Sequence, residues 1–228
     1  MKNNQSGRSM IEMLGVLAII GVLSVGGIAG YSKAMSKYRI NKTIDQVTML
    51  VTNLRTLYAQ QTNYAGLNNQ VAIDMGAVPE EMLLANSQTT GTGTDAVTTA
   101  TQDLRNAFQG GVYVGPGKAR SDDNVNNGAL VVIFDGLTKE ACAAIATSDW
   151  GSGTSSGFIG IKASTTSLQG TTSTAAAADD NAMYIGNYPN NGSGSAYGFA
   201  GKGPLSVATA AAACKCTGPT CSVMWKYY

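Results

Sequence analysis

The chain has no histidine among its 228 residues, and its charged residues make up only 13% of it. Without histidine, histidine-based nucleophile activation and histidine-based general acid or base catalysis are excluded. The formal net charge is +1, and no basic patch of the kind that binds nucleic acid is visible. We therefore expect no histidine-dependent catalysis and no binding of nucleic acid. We also expect that the protein is not an enzyme and needs no cofactor.

Charge is absent altogether from Met13 to Ser32, where the residues are almost all apolar or small. At about 1.5 Å per residue, this run is long enough to cross a bilayer as a helix. Glu12 lies at its edge. A carboxylate inside lipid costs about 2 to 3 kcal/mol or more unless a positive group meets it. The sequence therefore predicts a cationic partner for Glu12.

The residues around this glutamate resemble the leader of type IV prepilins and the related pseudopilins. Gly7 is followed by Arg8, and Glu12 is the fifth residue after the glycine, with an apolar helix behind it. The resemblance implies that a prepilin peptidase cuts between Gly7 and Arg8 and N-methylates Arg8. It also implies that Glu12 acts in subunit assembly, paired with the N-terminal amine of a neighbouring subunit. The family usually has an apolar residue where this chain has Arg8.

Two simpler interpretations fit part of this region. An ordinary secretory signal cut near Gly30 would also have a basic start and an apolar core, but such cores are usually shorter and tolerate an embedded glutamate poorly. A plain signal anchor is the other alternative. Both interpretations leave unexplained why the helical pattern continues beyond the apolar run.

The continuation, from Ser32 to about Gln61, contains neither glycine nor proline. Apolar residues recur there at steps of four and three, which predicts an amphipathic helix. They are Ile40, Ile44, Val47, Val51, Leu54 and Tyr58. Such a stripe needs a surface to cover it, either a globular domain of the same chain or other subunits. A coiled-coil stalk fits the stripe equally well but does not explain Glu12.

The predicted organisation is a leader at 1–7, a transmembrane and assembly helix at 8–62, and a globular domain at 63–228. The predicted strands are Gly111–Val114, Ala129–Phe134 ended by Asp135-Gly136, Gly157–Ala163, Tyr184–Ile185, Ala196–Phe199 and Ser222–Tyr228. The apolar run at Ala129–Phe134 suits a central strand. Short helices are expected at Asn69–Met75, after a Thr138 cap, and at Leu205–Ala213 behind Pro204, whereas Asn86–Gln102 is expected to be a loop. The whole resembles the pilin fold, an α+β architecture in which a long N-terminal helix packs on an antiparallel sheet.

Four cysteines lie at Cys142, Cys214, Cys216 and Cys221. An even number in an exported chain indicates disulfides, and zinc is a poor alternative because Cys142 stands alone and histidine is absent. Pairing Cys214 with Cys216 would strain the bond most. We favour Cys142 with Cys214 and Cys216 with Cys221, while the third connectivity stays open.

The resemblance implies a structural subunit that polymerises through its helix into an extracellular filament. Its expected partners are copies of itself, the prepilin peptidase, an inner-membrane assembly platform and an outer-membrane secretin. It would reside in the inner membrane of a Gram-negative bacterium before assembly. The larger domain and the helix with Cys142 favour the IVb subclass, whereas the short leader favours IVa.

Three other functions stay open. The first is a minor pilin or a type II secretion pseudopilin, which would differ from a major pilin in abundance and position rather than in fold; Glu12 argues only against a tip pseudopilin that lacks this acid. A singly displayed adhesin would instead use Trp150, Tyr184, Tyr188 and Tyr197 as a binding surface. An enzyme or calcium site would have to use Asp122, Asp123, Asp179 and Asp180, which lie in turn-rich segments without EF-hand spacing.

Overall fold

The computed structural model of the chain describes residues 6–90, 97–119, 127–151, 156–166, 168, 184–185 and 204–228. Within these ranges the helices are α1 (Ser6–Leu57), α2 (Asn69–Asp74), α3 (Lys139–Ala146) and α4 (Val207–Ala213), and Glu80–Met82 forms a 3₁₀ turn. The strands are β1 (Leu83–Thr90), β2 (Val97–Leu104), β3 (Val112–Gly117), β4 (Ala129–Leu137), β5 (Phe158–Ser164), β6 (Tyr184–Ile185) and β7 (Cys221–Tyr227). Contacts divide the chain into two compact units, Met1–Arg39 and Ile40–Tyr228.

Helix α1 contributes residues to both units, and its second part carries the predicted apolar stripe. Val47, Val51 and Leu54 are buried, and Leu50 between them is completely buried. Ile40, Ile44 and Tyr58, at the margins of the stripe, pack partly buried against the same core. The amphipathic helix is thus confirmed.

The helix ends a few residues earlier than Gln61, the predicted end. After Leu57 the chain tightens, because Ala59 N donates to Thr56 O at 3.3 Å and Gln61 N donates to Tyr58 O at 2.9 Å. Such 3₁₀-type hydrogen bonds, which join residues three apart, are typical of a helix terminus. The chain then turns through Gly66, whose φ of +80° favours glycine.

The main sheet of unit 2 is antiparallel throughout, with the strand order β3-β4-β7-β5-β6. Strand β4 lies between β3 and β7, which confirms the central position predicted from its apolar sequence. The last strand of the chain, β7, is also interior, paired with β4 on one side and β5 on the other. All seven residues of β7 are buried.

Strand β4 does not end at Asp135-Gly136, so that prediction was wrong. It continues to Leu137 through a shift of register between Phe134 and Leu137 against β7. Gly136 has φ of +70° at this point. Glycine allows the backbone to form the irregularity and rejoin the sheet, so a turn-like pair does not terminate the strand.

The prediction of a loop over Asn86–Gln102 was also wrong for most of its length. β1 and β2 form a separate two-stranded antiparallel sheet, in register from Leu83 opposite Leu104 to Thr90 opposite Val97. Residues 91–96 lie outside the described part of the chain. Threonine suits an extended, paired backbone, but its repetition among Gly, Ser and Asn resembles the composition of a loop and shows no clear alternation of apolar and polar residues.

The other predicted elements occur with small shifts at their ends. Strands β3, β5, β6 and β7, and helix α2, match the predicted segments within a few residues, whereas Ala196–Phe199 lies outside the described residues. Thr138 caps α3 as predicted, its side chain accepting from Ala141 N at 3.3 Å. For α4 the predicted start was wrong: Ser206, not Pro204, caps the helix, because its hydroxyl accepts from Thr209 N at 3.2 Å.

Candidate assembly surface

The predicted processing and assembly residues lie in the first turns of α1. Gly7, Arg8 and Glu12 all have helical backbone, and the Glu12 side chain is exposed. Cleavage after Gly7, methylation of Arg8 and the pairing of Glu12 with a neighbour stay predictions.

The apolar run behind Glu12 is exposed along its whole length in unit 1. Large side chains from Met10 to Tyr31 keep 53–75% of their surface accessible. Met10–Leu57 is the one segment of the described chain that could span a membrane by its length and composition, and none of its most apolar window is buried. Since exposed apolar surface on this scale is unfavourable in water, this part of α1 needs lipid or another protein around it.

In unit 2 the side of α1 opposite the core carries an unusual exposed stripe. Thr48, Met49, Thr52 and Thr56 are all exposed. The three threonine hydroxyls donate to the carbonyls of residues 44, 48 and 52, at 2.9, 2.7 and 2.8 Å. Because each hydroxyl has a partner within the helix, this threonine stripe can be covered without burying an unsatisfied polar group.

A polar network connects the start of the unit 2 part of α1 to the 3₁₀ turn. Lys42 Nζ lies 2.9 Å from Glu81 Oε2. The buried Gln46 donates to Glu81 Oε1 at 3.2 Å and accepts from Ala107 N at 3.1 Å. The hydrogen bond from Lys42 lowers the pKa of Glu81, aided by Gln46 and opposed by slight desolvation. The network fixes the rotation of the helix about its axis.

At the other end of α1, Arg55 contacts the sheet. Its Nη1 donates to Ser156 O at 2.6 Å, and its guanidinium carbon is 5.9 Å from the centre of the Tyr227 ring. Burial raises the pKa of Tyr227 and of Tyr64, although the positive charge of Arg55 opposes both shifts. These contacts place the end of the assembly helix against the last strand of the chain.

Two disulfides hold the C-terminal region. Cys142 on α3 is joined to Cys214 at the end of α4, and Cys216 is joined to Cys221 at the start of β7. This is the pairing favoured from the sequence. The sulfurs of both bridges belong to buried residues of the main core.

The sequence model of the Bundlin family matches residues 32–192, well over half of the chain. The chain belongs to the Bundlin family. It is 25% identical over 150 residues to the major structural subunit of bundle-forming pilus from Escherichia coli O127:H6 (strain E2348/69 / EPEC), over 66% of this chain and 68% of that protein. The corresponding protein of Escherichia coli O111:H- matches with the same values.

The fold of this Bundlin-family chain is similar to that of a solved type IV pilin. The crystal structure of TcpA, a type IV pilin from Vibrio cholerae El Tor biotype, matches with a TM-score of 0.50 and 16% identity, covering 84% of this chain and 99% of that one. The type IV b pilin from Salmonella typhi gives 0.48 and 15% identity over 82% and 98%. The helix and antiparallel sheet of this chain, together with the TcpA match, confirm the predicted combination of a long N-terminal helix and an antiparallel sheet.

One residue of the binding surface predicted for the adhesin alternative packs against the core. The indole of Trp150 packs against buried Trp225, with ring centres 5.0 Å apart, and its Nε1 donates to Ile145 O at 2.8 Å. Trp150 is therefore partly buried and packs against the core. Tyr188 and Tyr197, and the acids Asp122, Asp123, Asp179 and Asp180, lie outside the described residues, as does the Tyr184 side chain. The described residues contain no group of three potential metal ligands.

Sequence reasoning missed four residues that position this Bundlin-family helix and sheet. Thr43, Gln46 and Asn106 are buried polar residues, and Arg55 lies at the end of α1. Thr43 lies four residues before Val47, and Gln46 lies four residues before Leu50, so helical spacing gave a signal for both. Asn106 accepts from Phe108 N and Gly110 N within its own turn. It also donates to Asp135 O, a contact that only the tertiary fold specifies.

Proposed function

We propose that this chain is a structural subunit of a type IV pilus, which polymerises through its N-terminal helix into an extracellular filament. The observation that carries the proposal is the exposed apolar part of α1, from Met10 to Tyr31. One subunit alone cannot cover this surface with the residues that the structure describes. A membrane covers it before assembly, and the helices of other copies cover it in the filament.

Processing prepares the helix for this exchange. The prepilin peptidase cuts between Gly7 and Arg8 and methylates the new N-terminus at Arg8. Cleavage leaves an amine four residues before Glu12, at the start of the apolar run. The subunit then carries a positive and a negative group on the same end of its helix.

Glu12 gives assembly its register. In a low-dielectric surrounding, burying an ammonium and a carboxylate as a pair costs far less free energy than burying them apart, because each neutralises the field of the other. An incoming subunit whose amine meets Glu12 of its neighbour therefore satisfies both charges at one axial position. Other positions leave a charge buried and unpaired.

The remaining partners follow from the route of the chain. The subunit resides in the inner membrane of a Gram-negative bacterium, an assembly platform there extracts it, and the growing filament passes a secretin in the outer membrane. The E. coli relatives are named as major structural subunits of their pilus, and the same role is proposed for this chain. The role requires no catalytic site and no cofactor.

Electron microscopy of filaments sheared from the producing cells, with mass spectrometry of their main subunit, tests the proposal. We expect this chain to be the most abundant subunit, beginning at a methylated Arg8. A start near Tyr31, or an intact Met1 in exported material, would reject prepilin processing. Presence in the filament at only trace amounts would instead assign the chain as a minor pilin.

A further inference from the structure

A band of positive charge follows the apolar run on α1. Between Glu12 and Asp45 every charged residue is a cation, and these are Lys33, Lys37, Arg39 and Lys42. Lys33 and Lys37 are exposed. Of the four, Lys42 forms the ion pair with Glu81; the described residues place no carboxylate within ion-pair distance of Lys33 or Lys37.

The two exposed lysines lie on the same side of the helix. Residues four apart are neighbours on a helical surface, so their ammonium groups repel each other and weaken the helix locally. An anion that contacts both groups would remove this repulsion. The neighbouring Tyr31 and Tyr38 are also exposed, and exposed tyrosines beside a membrane span are typical of the boundary between lipid and water.

The length of the apolar run sets the depth of these lysines. Met13 to Ser32 spans about 30 Å as a helix, which equals the thickness of the hydrocarbon layer. Lys33 then lies about 2 Å, and Lys37 about 8 Å, beyond the edge of that layer, where the phospholipid headgroups are. Helical side chains tilt toward the N-terminus, so both lysines reach back toward the membrane.

The topology that the proposed function requires makes the charge distribution unusual. The C-terminal end of the span faces the exported side, whereas lysine and arginine are normally in excess on the cytoplasmic side. Orientation of the span therefore does not account for the exposed Lys33 and Lys37 at this end. An anionic group on the exported side does account for them.

We propose that Lys33 and Lys37 together bind the phosphate group of an anionic phospholipid in the outward-facing leaflet of the membrane that holds the unassembled subunit. The inference rests on the membrane stage of the proposed function. Lipid is favoured over a second copy of the chain because both lysines lie at headgroup depth and exposed tyrosines flank them.

Native mass spectrometry of the full-length subunit in mixed phosphatidylglycerol and phosphatidylcholine micelles tests this proposal. We expect the wild type to retain phosphatidylglycerol preferentially. Lys33→Gln with Lys37→Gln should lower the ratio of bound phosphatidylglycerol to phosphatidylcholine on the order of tenfold. The matched control is Lys139→Gln with Lys215→Gln, which removes two exposed lysines from unit 2 and should leave the ratio unchanged. Near-ultraviolet circular dichroism verifies that each variant is folded.

Four outcomes would overturn the proposal. An unchanged lipid ratio in the Lys33 and Lys37 variant, or an equal fall in the control, would show that these lysines do not select the headgroup. Displacement of the lipid by inorganic phosphate would identify a general anion site. Unchanged lipid binding with loss of filaments would assign the lysines to a contact with a second copy. Because binding is measured on unassembled subunits, a wild type that binds the lipid but forms no filaments would reject the proposed pilus function alone.

Discussion

Arg55 Nη1 donates to the backbone carbonyl of Ser156, 101 residues further along the chain, across 2.6 Å. The guanidinium also occupies the space that a side chain on Gly157 would need, and Gly157 has φ of +70°. The end of the assembly helix and the segment that leads into β5 are therefore fitted to each other at these residues.

Replacing Arg55 by methionine should destabilise the subunit by about 1.5 to 3 kcal/mol, because a hydrogen bond from a charged group is lost and the Ser156 carbonyl loses its donor. The stability of Arg55→Lys should lie between those of the wild type and Arg55→Met, since an ammonium keeps the charge but not the planar geometry. Thermal unfolding of the detergent-solubilised subunit measures the effect. Lys215→Met, at an exposed position, is the control, and equal melting of all variants would contradict the prediction.

Alkaline pH should destabilise the subunit through Tyr227. Burial raises its pKa well above 10 in the folded chain, whereas an unfolded tyrosine ionises near about pH 10. The contribution of Tyr227 to the free energy of unfolding is thus fully present below about pH 10. Above that pH the contribution falls by up to about 1.4 kcal/mol per pH unit. Melting temperatures from about pH 8 to about pH 11 would measure the loss.

Tyr227→Phe should make this alkaline loss smaller, because phenylalanine has no proton to release on unfolding. Tyr228→Phe, at the neighbouring half-exposed position, is the matched control and should leave the slope of the loss as in the wild type. An identical slope in all three proteins would mean that Tyr227 does not contribute to the pH dependence.

The two disulfides should contribute unequally to stability. Cys142 and Cys214 are 72 residues apart, whereas Cys216 and Cys221 are five apart. Loop-closure entropy predicts about 4 kcal/mol for the long loop and about 2 kcal/mol for the short one. Removing each pair by double substitution to serine, followed by unfolding measurements, tests the order. Free thiols or a different pairing in non-reducing peptide maps of the wild type would refute the connectivity.

Glu12→Ala should leave membrane insertion and leader cleavage largely intact but abolish or strongly reduce filaments. An uncharged side chain enters lipid more easily, whereas the neighbour's amine would be buried without its counter-charge. Glu12→Gln separates charge from size and should be equally defective or intermediate. Filament density by electron microscopy and subunit level by immunoblot are the measurements. Normal density in both variants would show that the carboxylate does not align subunits.

The threonine stripe gives a second test of assembly. Thr52→Lys introduces a charge at an exposed helix position, so the isolated subunit should remain folded while filament yield falls strongly if another copy covers this side. Thr52→Val keeps the shape and should preserve filaments. Ala211→Lys, at an exposed position of α4, serves as the matched charge control. Wild-type yield of Thr52→Lys filaments would show that the stripe faces solvent in the fibre.

Local patterns account for what the sequence alone predicted. The apolar run, the stripe through Val47 and Leu54, the Thr138 cap and the buried strand at Ala129–Phe134 each depend on residues close together in the chain. Helical spacing, capping and continuous burial leave a periodic or positional signature that needs no knowledge of the partner. The glutamate at the edge of the apolar run was apparent for the same reason.

Only the tertiary structure decided which distant segments meet. The last strand, Cys221–Tyr227, lies inside the sheet between β4 and β5. Even the neighbouring strands β1 and β2 pair where the sequence suggested a loop. Arg55 donates a hydrogen bond to the Ser156 carbonyl, and Asn106 donates one to the Asp135 carbonyl. Backbone hydrogen bonds between strands are nearly independent of side-chain identity, so the sequence carries little information on strand order. Burial of the shared core selects one arrangement, and that selection depends on the whole chain at once.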